Sequence, residues 1–414
     1  MSATPRHAAP IALPILATIL AGLAMIGPFT IDTYLPAFPY IAADLQGTPA
    51  QMQQTLSLYL FAVALMTLFH GTLSDSFGRR PVILASLMLY VVTAVGCALA
   101  TTLPQLLFWR ALQGLSAGAG IIIGRAIIRD SQQGHEAQRL MSLVTMIFGI
   151  APAIAPVIGG WLQAASGWRS IFWFLALYGA AMFVAAWRRL PETHPVAARQ
   201  PFRALPLLRN YARLGGNPKL VLLCLVVAFN FSGFFLYIVS APAVIYDLLK
   251  LTATDFPWLF VPAIGGVMLG AFLSGKLAGK LTPQRTVLAG YLTMGGAAVL
   301  NIAYCATLPP ALPWTVLPVM IYTVGMALTM PSVTLLTLDL YPQLRGTTAS
   351  LQGFAHSLFS GITAGVISPL VSGSALTLGL AMSLLLLAGA SAWTLYVGGS
   401  RHGREGSRPQ SCPT

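Results

Sequence analysis

The chain has 414 residues, of which 56% are hydrophobic and 8% charged, and its formal net charge is +13. A soluble domain carries about 25% charged residues, so these few charges cannot build a water-facing surface. The apolar runs are continuous, whereas membrane barrel strands alternate over about ten residues, so the composition reads as an all-α membrane protein.

A spanning helix needs about 20 apolar residues. Twelve segments qualify: 11–34, 52–73, 81–101, 104–128, 139–162, 168–190, 220–246, 254–277, 286–308, 312–338, 347–370 and 372–397. The first is too long for a signal peptide and lacks a clean small-residue cleavage site, so it is a span. The longest polar connection, 191–219, carries Arg199, Arg203, Arg209, Arg213 and Lys219 and divides the spans six and six. An amphipathic surface helix is expected within it, around 202–214. The predicted architecture is therefore an N-terminal six-helix bundle (1–190), a cytoplasmic linker (191–219), a C-terminal six-helix bundle (220–398) and a disordered cytoplasmic tail (399–414). Gly71-Thr72-Leu73 after span two has an echo in Gly275-Lys276-Leu277 after span eight, which suggests two pseudo-symmetric halves.

Basic residues gather in alternate connections, among them Arg79, Arg80, Arg188, Arg189, Lys276, Lys280, Arg285 and Arg345. The opposite side holds only Arg169 and Lys250. This asymmetry predicts a multi-pass inner-membrane protein with both termini in the cytoplasm. Charges scattered over short connections also argue against a nucleic-acid partner. Cys97, Cys224 and Cys305 lie in apolar runs and Cys412 in the tail, with no metal-ligand spacing and no disulfide framework.

Asp32, in PFTIDTYLP, is the only acid within an apolar stretch of the first half. An acid placed there is costly and marks a proton or substrate path. Its plainer reading is a boundary residue, since Pro28 and Pro36 can end the helix nearby. Arg110, in WRALQG, lies at a similar depth, so Asp32 and Arg110 are a candidate proton-coupling pair, or else a static ion pair. Candidate substrate contacts are Tyr34, Gln113, Asn230, Tyr237, Tyr322 and His356, each of which also reads as an ordinary helix–helix hydrogen-bonding group. In span five, GIAPAIAPVIGG places Gly149, Pro152, Pro156 and Gly160 on one helical face next to Gly159, a surface suited to close packing or simply a kinked helix. Between spans two and three, GTLSDSFGRRP offers Gly71, Asp75, Gly78, Arg79 and Arg80 as a hinge, with Asp130 of span four as a partner for Arg79. Asp75 is expected to meet a helix N-terminus. This cluster reads as a cytoplasmic gate, or more plainly as a topology signal. Among the candidate residues there is no phosphate-binding loop, Ser-His-Asp constellation or metal cluster, so neither an enzyme nor a cofactor is expected.

GTLSDSFGRRP after the second of twelve spans resembles the signature loop of the major facilitator superfamily. IDTYLPAFPYIAADL, RALQGLSAGAG with RAIIRD, GIAPAIAPVIGG, LPET, FFLYIVSAPAVIY and RGTTASLQGF narrow the resemblance to the Bcr/CflA family of drug:proton antiporters, of the bicyclomycin- and chloramphenicol-resistance type. The chain departs from the family pattern at Thr67, His70 and Thr72. The resemblance implies the twelve-helix fold of that superfamily, coupling through Asp32 and Arg110, and gating through Asp75, Arg79 and Asp130. It also marks Gly149 to Gly160 as an antiporter motif. The expectation is a monomeric, proton-coupled exporter of small amphipathic or cationic compounds that works by alternating access in the lipid bilayer. The alternatives are a metabolite transporter, for example of a nucleoside, on the same scaffold, or a non-transporting membrane sensor.

Overall fold

The computed structural model describes residues 13–132, 134–199 and 201–405. The described residues are helical throughout, with no β-strand. Two compact units emerge. Unit 1 runs to Arg203 and takes in Leu251–Phe260; unit 2 comprises Ala204–Lys250 and the chain from Val261 onward.

Unit 1 begins with α1 (Leu13–Asp32), which carries Pro28 inside it, a short 3-10 turn (Leu35–Ala37) and α2 (Phe38–Asp44). There follow α3 (Pro49–Thr67), α4 (His70–Phe77), α5 (Arg79–Ala98), α6 (Leu103–Ala117), α7 (Ala119–Ser131), α8 (Gly134–Ser166) and α9 (Arg169–Arg189). Thr48 starts α3 with a capping box, its hydroxyl taking the Gln51 N–H while the Gln51 amide takes the Thr48 N–H. That exchange satisfies two of the free donors at the helix start. The main packing pairs are α5 with α9, α3 with α6, and α1 with α8. Gly114 explains how closely α3 and α6 approach: a Cβ there would lie 2.2 Å from the Tyr59 carbonyl oxygen, so no other residue fits.

Unit 2 opens with α10 (Ala204–Gly215), in the place where an amphipathic helix is expected. It continues with α11 (Pro218–Val239), a π-helical stretch (Ala243–Leu248), most of α12 (Pro257–Leu277), α13 (Pro283–Thr307) and α14 (Leu317–Asp339). The chain then forms α15 (Arg345–Ile362), a second π-helical stretch (Thr363–Ile367), the single turn α16 (Ser368–Val371) and α17 (Ala375–Glu405). Here α13 packs on α14, and α11 on α17 and α15.

Eleven helical segments are long and apolar enough to cross a membrane, or twelve when α3 and α4 are counted as one span bent by 49°. The expected continuous span two thus breaks at Leu68 and Phe69, where no proline or glycine forces a break. The hinge segment also differs from expectation. Gly71 lies inside α4, and only Gly78 separates α4 from α5. Gly78 has φ +102°, a backbone conformation that costs glycine little and other residues much. The corresponding connection of unit 2, from Leu277 to Pro283, likewise turns on a glycine of positive φ, Gly279 at +79°. The expected tail starts within α17, whose backbone runs to Glu405; residues 406–414, with Cys412, lie outside the described residues, as do 1–12.

Candidate functional site

Asp32 is the last residue of α1, and its side chain is almost fully buried. Arg110 lies in the middle of α6 with 0% exposure. The two do not form an ion pair, contrary to the simplest expectation. Other groups occupy the guanidinium instead. It lies over two aromatic rings, with Cζ 4.6 Å from the Tyr34 ring centre and 4.5 Å from that of Tyr59. One nitrogen, Nη1, donates to Gln113 Oε1 at 2.7 Å and to the Thr30 carbonyl at 3.4 Å. Stacking on two rings stabilises a buried cation without neutralising it. The other edge of the group, Nε and Nη2, has no partner, and neither has Gln113 Nε2. Three buried donors of α6 thus lack acceptors, while Thr30 and Tyr34, which both contact Arg110, stand two residues either side of Asp32; the Asp32 carboxylate makes no ion pair among the described residues.

The surrounding hydroxyls hold this arrangement. Tyr34 Oη is 2.8 Å from Thr55 Oγ1, and Thr30 Oγ1 is 2.6 Å from Tyr90 Oη. Tyr59 and Tyr90 escaped the sequence reading. A tyrosine in an apolar run signals a polar tip needing a partner, but not which helix supplies it. On the far side of α1, Gly159 of α8 receives the Thr33 carbonyl, which would be 2.1 Å from a Cβ at that position. Gly160 similarly abuts the Ala253 carbonyl of the same unit at 2.2 Å, while Gly149 has nothing within 4 Å. Close approach in the GIAPAIAPVIGG stretch is therefore concentrated at its end; Pro152 and Pro156 lie within an unbroken α8.

The gate candidates converge at the start of α5. Arg79 is buried and its guanidinium binds Ser74 Oγ, the Asp75 carboxylate and, through Nε at 3.1 Å, Asp130 Oδ2. The expected Arg79–Asp130 contact is present. Asp75, however, is not the acid at the helix N-terminus. Glu192 holds that place: Oε1 accepts from the Arg79 N–H at 3.0 Å and Oε2 from the Arg80 N–H at 3.3 Å. These are the first two amides of α5, which have no partner inside the helix. Arg199 adds a 3.5 Å ion pair to the same carboxylate, Thr193 donates to Asp130, and Arg80 reaches the Trp187 carbonyl. Every one of these groups belongs to unit 1. Glu192 was visible only as part of LPET; nothing in 113 residues of separation tells that it caps α5. Replacing it by alanine is expected to cost about 1 kcal/mol, as loss of a helix cap does. Hydrogen exchange then accelerates at the amides of Arg79 and Arg80; unchanged protection would contradict the capping role.

The unit 2 candidates form two separate polar contacts. Asn230 Nδ2 donates to Tyr291 Oη at 3.2 Å, and Tyr322 Oη donates to the Asn230 carbonyl at 3.0 Å. Tyr237 Oη accepts from Asn301 Nδ2 at 2.6 Å. Asn230, Tyr237 and Tyr322 are buried, so all three link helices in this structure. Asn230 Oδ1 alone lacks a partner. His356 is partly exposed and lies on the Phe231 ring, centre to centre 4.1 Å.

The Major Facilitator Superfamily model matches residues 20–365. The chain belongs to that superfamily. It is similar to the multidrug resistance protein D of Escherichia coli, 27% identical over 384 residues, 91% of this chain and 94% of that protein. It is also similar to the bicyclomycin resistance protein homolog of Haemophilus influenzae, 29% identical over 259 residues, 63% of this chain and 65% of that protein's length. Among solved structures, a bacterial homolog of the human lysosomal transporter Spinster, inward-facing and unoccupied, aligns with a TM-score of 0.68 over 94% of this chain and 96% of its own. At 18% identity that likeness concerns the fold alone. As a superfamily member with these apolar helices, the chain is a multi-pass membrane protein.

Proposed function

We propose that this superfamily member is a proton-coupled exporter of small amphipathic compounds, working by alternating access. The observation that carries the reading is the buried Asp32 carboxylate, without an ion pair among the described residues, in the same unit as the ring-stacked Arg110, whose Nε and Nη2 have no partner. Such a carboxylate binds or releases a proton without dismantling a salt bridge, and the free donors of Arg110 leave its charge available to an anionic group that enters the site. Protonation from the outer side would release substrate outward; deprotonation inward would reset the site. The similarity to proteins named for multidrug and bicyclomycin resistance supports export of drug-like compounds. The network on Arg79 and Glu192 would hold unit 1 together at its cytoplasmic end, with both termini on that side of the inner membrane, and the protein would act as a monomer.

The test uses inverted membrane vesicles with an imposed proton gradient and a panel of fluorescent amphipathic dyes. Dye accumulates as protons leave the lumen, and a protonophore abolishes the accumulation. Dye uptake that survives the protonophore would rule out proton coupling.

A further inference from the structure

Unit 1 contains a groove that none of the roles above uses. It lies between α1, α7 and α8 and has a volume of about 100 Å³. Its floor is apolar and buried, formed by Leu20, Ala24, Gly124 and Val144, and its exposed rim carries Arg125 and Thr145. Arg125 makes no ion pair among the described residues, and the next charge along α7, Arg129, has the same sign. The acid beyond it, Asp130, is already held by Arg79. An apolar floor below a cation and a hydroxyl complements one kind of ligand end: a short apolar group joined to an anion. A cation at this rim would meet the Arg125 guanidinium, with Arg129 of the same sign one turn further along α7.

We propose that this groove is a subsite for amphipathic anions, with the apolar end on the floor and a carboxylate or phosphonate on Arg125 and Thr145. The proposal rests on the transport reading above and narrows its substrate class, against the sequence-based expectation of cationic compounds. Size limits what enters. A cavity of about 150 Å³ holds a benzene ring, so this one accepts a short alkyl segment and leaves the rest of a drug-sized molecule elsewhere. A guanidinium–carboxylate contact is among the stronger hydrogen bonds and fixes orientation as well as affinity.

The test is binding to the purified full chain in a neutral maltoside detergent, by saturation-transfer NMR titration of hexanoate, hexan-1-ol and hexylammonium. Hexanoate is expected to bind about tenfold more tightly than the alcohol, as one charge-assisted hydrogen bond provides, and hexylammonium more weakly than either. Arg125→Gln brings hexanoate down to the level of the alcohol and leaves the alcohol unchanged. Gly124→Ala weakens hexanoate and the alcohol alike, because its methyl takes space from the floor; that Cβ meets only Leu20 Cδ2, at an ordinary 3.7 Å, so the fold tolerates it. Equal binding of hexylammonium, or a hexanoate preference that persists in Arg125→Gln, would overturn the proposal. Repeating the titration in nanodiscs separates a soluble anion from a lipid headgroup. Hexanoate binding that persists in phosphatidylglycerol supports the substrate subsite, whereas binding seen in phosphatidylcholine but lost in phosphatidylglycerol assigns the groove to lipid and overturns it. None of these measurements needs a proton gradient, so their failure leaves proton coupling standing, and failure of the vesicle assay leaves the binding result standing.

Discussion

Asp32→Asn is expected to reduce gradient-driven accumulation to that of vesicles lacking the protein, while downhill exchange of substrate continues. The amide has nearly the same shape as the carboxyl group and keeps an acceptor oxygen, but it cannot take up and release a proton at any working pH. Insertion and folding should be unaffected, because among the described residues Asp32 makes no ion pair whose loss would leave Arg110 stranded. Arg110 keeps both tyrosine rings, Gln113 and the Thr30 carbonyl. Breaking a buried pair by removing one partner is strongly destabilising, whereas removing a carboxylate that has no such partner is not. The check is two measurements on one vesicle preparation: dye accumulation under a proton gradient, and proton release on substrate addition. Full accumulation by Asp32→Asn would remove Asp32 from the coupling mechanism.

The second large effect is expected from a single methyl group. Gly159→Ala places a Cβ 2.1 Å from the Thr33 carbonyl oxygen and 2.7 Å from Thr33 C and Cα. These are backbone atoms, so no side-chain rotation relieves the clash and α8 must move away from the end of α1. Overpacking of this kind costs about 1–3 kcal/mol. The displaced residue lies between Asp32 and Tyr34, so the tyrosine stack on Arg110 loosens along with the packing. Gly149→Ala is the control on the same helix. Nothing lies within 4 Å of a Cβ there, and replacing an interior helical glycine by alanine stabilises by up to about 1 kcal/mol. Melting curves in detergent should therefore separate the two variants in opposite directions about the parent. Equal melting temperatures would show that the close approach at Gly159 contributes nothing to stability.

The contrast between these two glycines shows where sequence reading stops. Both stand in GIAPAIAPVIGG, where helical periodicity groups Gly149 with Gly160 on one packing face, yet a Cβ at Gly160 would lie 2.2 Å from the Ala253 carbonyl oxygen and one at Gly149 would meet nothing within 4 Å. Periodicity gives the face of a helix but not how far along it a neighbour approaches. The same limit applies to span two. Its apolar run reads as continuous, yet α3 and α4 part at Leu68 and Phe69, a break set by packing because no proline or glycine stands at those two positions. At the gate, the Arg79–Asp130 pair was legible because span ends at one membrane surface bring their charges to a common level. The Glu192 cap was not legible, since its carboxylate competes with Asp75 for the same helix start and only the path of the chain after α9 decides between them.

The all-α membrane class, the run of eleven to twelve spanning helices and the placing of Asp32 and Arg110 within apolar runs were legible from the amino-acid sequence alone. Those follow from solvation: apolar runs of spanning length must leave water, and a charge among them must be functional or paired. What those charges touch depends on the three-dimensional packing. It gave Arg110 two tyrosine faces in place of an aspartate, capped α5 with Glu192, and opened a groove beneath Arg125. Each outcome depends on distances of a few ångströms between residues far apart in the chain. Hydrogen bonds and close packing discriminate at that scale, while the hydrophobic pattern that fixes the spans is nearly insensitive to it.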